Sequence, residues 1–132
     1  MTERGHGGSI WSRLLLRLSD RAERGRAQKE RERQEAAIAR AAEPGQAGLA
    51  LLVSCTLFHQ GTPLENARRV AALLREGRSY GWDEASYDVD GERVEVSFLR
   101  ETQVVDRAEL GALVERIVAR LEALEREAER AR

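Results

Sequence analysis

The sequence predicts an α+β domain in which a small three-stranded antiparallel sheet, in β-α-β-β-α order, carries both helices on one face. An N-terminal helical arm precedes this domain. Large apolar residues are concentrated after residue 43, which places the core there. Two segments of alternating apolar and polar residues flank Asp90-Gly91, a dipeptide typical of tight hairpins. Two other segments combine the apolar period of a helix with residues that cap helix ends.

Composition limits the classes of function that the chain supports. Its 132 residues allow one domain with a modest core, and a net charge of −1 provides no general attraction for nucleic acid. The single cysteine, Cys55, excludes an internal disulfide and is consistent with a reducing cytoplasm. The Arg-rich and Ala-rich composition is typical of a GC-rich bacterial genome. We therefore expect a bacterial cytoplasmic protein that binds no nucleic acid.

Residues 1–44 are predicted to form a mobile tail and a helical arm. The segment 10–24 has the pattern of an amphipathic helix, with Arg side chains opposite an apolar side formed by Ile10, Trp11, Leu14, Leu15 and Leu18. Gly25 is expected to interrupt it, and residues 26–42 favour a helix with little apolar surface. Glu43-Pro44-Gly45 ends the arm, so the α+β domain is predicted to span residues 45–132.

The apolar side of the arm needs a partner, and the sequence leaves three alternatives open. The helix could dock on its own domain or on a second copy. It could bind a groove of another protein. It could also lie on a membrane surface, because Trp11 and the leucines oppose several arginines.

Residues 49–58 are predicted to form the first strand. Its core-facing side would carry the odd-numbered residues Leu49, Leu51, Val53, Cys55 and Leu57. If this strand pairs beside the second strand of the hairpin, its other edge stays open, without Pro or Lys to protect it. That edge, around Val53 and Cys55, is then a predicted surface for self-association or for a partner's strand.

The remaining elements follow from capping and turn residues. Thr62, Pro63 and Glu65 begin a helix that Gly77 ends. A hairpin with Asp90-Gly91 as its type I′ turn would place Tyr87 opposite Val94. Asp106 caps a final helix whose apolar side ends at Leu124, so its last turns are expected to project into water.

The sequence does not predict an enzyme. His59 follows the predicted strand, where a polar loop residue is the simpler interpretation, and Cys55 has the context of a buried thiol. Together they lack the further ligands that a metal site requires, so no metal and no cofactor are predicted. Tyr80 and Trp82 flank Gly81 at a helix–strand junction, where they either pack in the core or form a recognition site.

Three segments carry a family resemblance: residues 73–77, residues 90–96 and residues 106–124. In their order of strand, helix, hairpin and helix they resemble the B-type regulators of ribonuclease activity, which inhibit ribonuclease E and have a ferredoxin-like fold. Those proteins are strongly acidic and have a further strand after the second helix, whereas this chain ends in a charged helix. The order is also similar to that of secretion-chaperone-like folds, which are dimeric. Both resemblances imply a protein-binding role, and neither assigns a role to a residue.

The resulting hypothesis is a non-catalytic, protein-binding or regulatory module of the bacterial cytoplasm that forms a homodimer. Its partner-binding residues would be Ile10, Trp11, Leu14, Leu15, Leu18, Val53, Cys55, Tyr80 and Trp82. The alternative is a peripheral membrane protein attached by helix 10–24.

Overall fold

A computed structural model describes the backbone of residues 10–131 and the side chains of residues 22–131. Within this range the chain is α+β, with the helices α1 to α4 and one four-stranded antiparallel sheet. The elements, in chain order, are α1 Ile10–Ala41, α2 Ala47–Leu57, α3 Pro63–Glu76, β1 Tyr80–Trp82, β2 Ala85–Asp90, β3 Arg93–Phe98, β4 Glu101–Asp106 and α4 Arg107–Arg130.

The chain divides into two units between Arg33 and Gln34. In the first unit, the described residues from 10 onward are helical, and every described side chain, 22–33, is exposed. Neighbouring turns are joined by polar pairs, such as Arg33 Nη1 to Glu30 Oε1 at 2.7 Å. The helix continues through Gly25, where the sequence predicts an interruption. The second unit begins before the predicted boundary at Glu43–Gly45 and includes the last turns of α1.

The predicted strand at residues 49–58 is wrong, because this segment is the helix α2. Its residues are almost all apolar or small, so the same letters satisfy both a two-residue and a 3.6-residue period. In the helix, the positions that become buried include Leu49, Leu52, Val53, Thr56 and Leu57. The helix also satisfies its main-chain groups internally, whereas a strand would need a neighbour on each side.

The sheet is therefore a meander in the order β1-β2-β3-β4, and not the predicted three-stranded β-α-β-β-α arrangement. Two strands missing from the prediction, the short β1 and the six-residue β4, take the places beside the hairpin. One face of the central pair is buried and the other is polar, so the helices cover a single face, as expected.

The hairpin β2–β3 forms as predicted, but its pairing is shifted. Tyr87 lies opposite Val96 instead of Val94. The cause is the turn: its loop residues are Gly91 and Glu92, and only Gly91 has a positive φ, of 62°. This pattern is that of a type II′ turn, not the predicted type I′ turn. Because the shift is by an even number of residues, every side chain keeps its predicted face.

The helix ends α3 and α4 confirm the capping predictions. The Thr62 hydroxyl accepts a hydrogen bond from the Glu65 amide at 3.2 Å, and Gly77 ends α3 with a φ of 69°. The Asp106 carboxylate accepts from the Glu109 amide at 3.1 Å. From residue 125 onward the side chains of α4 are largely exposed, as expected.

Two arginines connect helix and strand ends. Arg107 donates through Nε to the Leu74 carbonyl at 2.9 Å and through Nη1 to the Gly91 carbonyl at 3.2 Å. Arg116 donates through Nε to the Ala41 carbonyl at 2.8 Å and through Nη2 to the side chain of Gln46 at 2.9 Å. The first holds the end of α3 against the hairpin turn, and the second holds the end of α1 beside α4.

Candidate interaction surface

The apolar residues of the arm, which are the first part of the predicted binding site, lie outside the described side chains. These are Ile10, Trp11, Leu14, Leu15 and Leu18. The backbone of this segment belongs to α1.

Val53 and Cys55 do not form the open strand edge that the sequence predicts. Val53 is fully buried on the inner side of α2. Cys55, two residues further along the helix, is partly exposed on another side. Because main-chain groups in a helix bond within the helix, this segment offers no edge for strand pairing. The predicted reason for self-association at Val53 is therefore removed.

Tyr80 and Trp82 form a chain of aromatic contacts leading into the core. The rings of Tyr80 and Trp82 lie 5.0 Å apart, and those of Trp82 and Tyr87 lie 6.1 Å apart with an interplanar angle of 15°. Trp82 is partly buried and packs against the core cluster, while Tyr80 is 40% exposed. The sequence left open whether these two residues pack in the core or form a recognition site. Trp82 packs in the core, and the Tyr80 ring lies against the more exposed side of Trp82.

Tyr87, at the inner end of this chain, makes a buried hydrogen bond that the sequence analysis did not identify. Its hydroxyl lies 2.7 Å from Thr56 Oγ1 on α2. Thr56 donates its own hydrogen to the Val53 carbonyl at 2.7 Å, so the Tyr87 hydroxyl is the donor to Thr56. Burial raises the pKa of Tyr87 above its ordinary value of 10.0, because the phenolate would be poorly solvated there. The bond connects α2 to the centre of the sheet.

His59 and Cys55, the reactive side chains considered in the sequence, have different surroundings. The His59 ring contacts Phe98 edge-on at 5.4 Å, and its Nε2 lies 3.5 Å from Asp83 Oδ2. That separation is long for a hydrogen bond, and Nε2 is buried without a hydrogen-bond partner among the described residues. In the part of the chain that the structure describes, no group of His, Cys, Asp and Glu could hold a metal ion.

An exposed apolar surface of the second unit lies on α2. Leu51 is 68% exposed, the largest fraction among the exposed large apolar residues of the described chain. Beside it, a groove of about 470 Å³ runs between α2 and the end of α1. Small side chains line much of this groove, among them Ala36, Ala39 and Ala47. We refer to Ala36 and Ala39 of α1 together with Ala47 and Leu51 of α2 as the α2 face.

The α2 face carries little charge. Residues 44–64 contain no Asp, Glu, Lys or Arg, although 34% of the whole chain is charged. The exposed side of α2 is therefore apolar or neutral, and the Glu35 side chain is the one charged group among the residues described as lining the groove. Depletion of charge at a surface is characteristic of the centres of protein interfaces.

Both walls of the groove are held by the surrounding structure. On one side, α2 is anchored by Leu57, which is fully buried, and by the Thr56–Tyr87 hydrogen bond. On the other, Ile38 is buried, and Arg116 binds the carbonyl of Ala41 at the end of α1. The groove thus exists before any partner binds, which reduces the entropy lost on binding.

A signal for this surface was present in the sequence. The uncharged run at residues 44–64 is unusual in so charged a chain, and Leu51 lies within it. Interpreted as a strand, the run placed Leu51 beside Val53 on the buried face. In a helix, Leu51 and Val53 are separated by about 200° around the axis, so Leu51 faces solvent when Val53 is buried.

Comparison of the chain with family models, with curated proteins and with solved structures found no match. Among the described residues, no helix has the length and apolar character needed to cross a membrane.

Proposed function

We propose that this chain is a non-catalytic protein-binding module that receives an apolar helix of another protein on the α2 face. The observation that carries the proposal is the exposed Leu51 beside a preformed groove lined mainly by small, uncharged side chains. Exposed apolar surface of this kind is costly in water unless a partner covers it.

A helix suits the shape of this groove better than an extended segment does. The groove lies between two helices, and its alanines allow a third helix to approach closely. An extended segment would instead need main-chain partners, which α1 and α2 do not provide because their own groups are paired within each helix. The chemistry of the expected partner is therefore an amphipathic helix with uncharged apolar residues along one side.

The placement of His59 and Cys55 supports a role other than catalysis. His59 is in edge contact with Phe98, and Cys55 is part of the uncharged side of α2. The resemblance to the B-type regulators of ribonuclease activity remains a prediction, and so does membrane attachment through helix 10–24. No role of any residue is taken from either.

Photocrosslinking followed by direct binding tests the proposal. Benzoylphenylalanine is placed at position 51 or, as a control, at position 99, because Leu99 is similarly exposed, at 61%, on the β3–β4 turn. The protein is expressed in its native host, and proteins crosslinked from position 51 alone are identified and purified. Their affinity is then measured with wild type, Leu51→Glu and Leu99→Glu.

The expected result is binding that Leu51→Glu weakens at least about 100-fold, since an apolar anchor is replaced by a buried charge, while Leu99→Glu binds as wild type does. Equal affinity of the two variants would overturn the proposal. Crosslinking of position 51 to a second copy of the same chain would also overturn it, because the α2 face would then be a site of self-association.

A further inference from the structure

The edge strand β4 directs unpaired main-chain groups away from the sheet. Toward β3, the ladder continues past the strand end, because the Arg107 amide donates to the Glu92 carbonyl at 2.7 Å. Antiparallel ladders use alternate residues, so Gln103 and its odd-numbered neighbours in β4 bond to β3. The N–H and C=O groups of Thr102 and Val104 therefore point outward; we call these groups the β4 edge.

The β4 edge has few of the features that protect strand edges. The strand has six residues, with neither Pro nor Lys. Val104, whose main-chain groups point outward, is 56% exposed. Among the described residues, no backbone group outside β3 is hydrogen-bonded to Thr102 or Val104. The opposite edge of the sheet, β1, has only three residues. An unprotected edge of this length is a template for another strand.

We propose that β4 pairs antiparallel with β4 of a second copy, with Gln103 opposite Gln103 across a two-fold axis. Two requirements limit the registers available. The outward groups of Thr102 and Val104 must meet each other, and side chains opposite each other must share a face of the joined sheet. Both are met when Thr102 lies opposite Val104 of the second copy, and Gln103 is then on the axis.

Charge complementarity favours this register. It brings Arg100, which lies in the turn just before β4, toward Asp106 of the second copy, twice by symmetry, and no like charges lie opposite each other within the paired strands. Arg100 is exposed, and its side chain makes no ion pair or hydrogen bond with another described residue. The register centred on Val104 would instead place Glu101 opposite Arg107, whose guanidinium already binds the carbonyls of Leu74 and Gly91.

The proposed dimer has one eight-stranded sheet with the helices of both copies on the same side. The pairing uses no residue of the α2 face, so it is independent of the proposed function. Each dimer would present two α2 faces, and a partner with two suitable helices would bind it with increased avidity.

Disulfide crosslinking tests the register in the full chain with Cys55→Ser. Opposite residues of a non-hydrogen-bonded pair have Cα atoms about 4.5 Å apart, within disulfide range, so Gln103→Cys should give a covalent dimer under mild oxidation. Val104→Cys is the matched control, because its two copies would be diagonal neighbours about 7–8 Å apart. Faster crosslinking at position 104 than at position 103 would overturn the register.

Sedimentation equilibrium tests the edge itself. Wild type should have twice the chain mass of 14.8 kDa at micromolar concentration. Val104→Pro removes an N–H that the monomer does not use, and should raise the dissociation constant at least about tenfold, while Val104→Thr keeps the N–H and the dimer. A wild-type monomer, a dimer that Val104→Pro leaves intact, or a dimer lost in Leu51→Glu would each overturn the proposal.

Discussion

The α2 face and the β4 edge are both incompletely covered, but the groups left exposed differ: side chains on the first and main-chain groups on the second. The α2 face exposes apolar side chains, led by Leu51, while its main-chain groups are satisfied within the helix. The β4 edge exposes main-chain donors and acceptors at Thr102 and Val104, in a strand with acidic residues at both ends. Apolar contact is not directional, so the first surface selects a partner by shape. Hydrogen bonds are directional, so the second selects a strand and a register.

The α2 face keeps its shape only if α2 is firmly docked on the core, and substitutions on the two sides of this helix test the docking. Leu57→Ala should lower the free energy of unfolding by about 2–5 kcal/mol, because Leu57 is fully buried and leaves a cavity. Leu51→Ala, the same change on the exposed side, should alter it by less than about 0.5 kcal/mol. Urea unfolding followed by circular dichroism measures both. Similar losses in the two variants would contradict the description of α2 as having a buried and an open side.

The other wall of the groove depends on Arg116. Arg116→Ala removes the hydrogen bonds to the Ala41 carbonyl and to Gln46, so we expect a loss of about 1–2 kcal/mol, reduced by partial solvent exposure. Arg120→Ala, an exposed position one turn further along α4, should cost less than about 0.5 kcal/mol. Hydrogen exchange of residues 34–41 should increase only in Arg116→Ala. If both variants exchange alike, Arg116 does not hold this wall.

The bond between Tyr87 and Thr56 connects α2 to the sheet and gives a pH-dependent test. Tyr87→Phe should cost about 1 kcal/mol at neutral pH. The folded state raises the pKa of Tyr87 above 10.0, so its stabilising contribution is present below that pH and is lost as the pH rises further.

The difference in stability between wild type and Tyr87→Phe should therefore become smaller above pH 10. Urea unfolding of both proteins at several alkaline pH values measures it. A difference that stays constant through this range would show that the Tyr87 hydroxyl is not buried as described.

Substitutions that barely change the free energy of unfolding can show whether the α2 face and the β4 edge act independently. Leu51→Ser and Val104→Thr should each change the free energy of unfolding by less than about 0.5 kcal/mol, because both side chains are largely exposed. Leu51→Ser should weaken helix binding without changing the dimer, and Val104→Thr should change neither strongly. Thermal unfolding with a sedimentation measurement checks both. A shift of oligomeric state in Leu51→Ser would show that the two surfaces are coupled.

The candidate surfaces were only partly predictable from sequence. The expectation of an open strand edge at residues 49–58 was wrong, because these residues are helical, and the strand at this side of the sheet is β4. The uncharged run indicated the segment, but it did not indicate that Leu51 is the residue exposed, since an apolar run fits both a strand and a helix and the two place Leu51 on different sides. Tyr80 and Trp82 were identified as a pair, but only the contact of Trp82 with Tyr87 shows that Trp82 packs inward.

Local chemistry by itself determined the elements that have their own start and stop residues. Thr62 with Gly77 bounds α3, Asp106 begins α4, and the alternation around Gly91 makes a hairpin with the correct faces. These features depend on groups a few residues apart, so the sequence is sufficient. The conformation of residues 47–57 depended on distant partners such as Tyr87, and the place of β4 in the sheet depended on its pairing with β3. Tertiary structure decided them, because an apolar run fits several local conformations and only the packing of the whole chain selects among them.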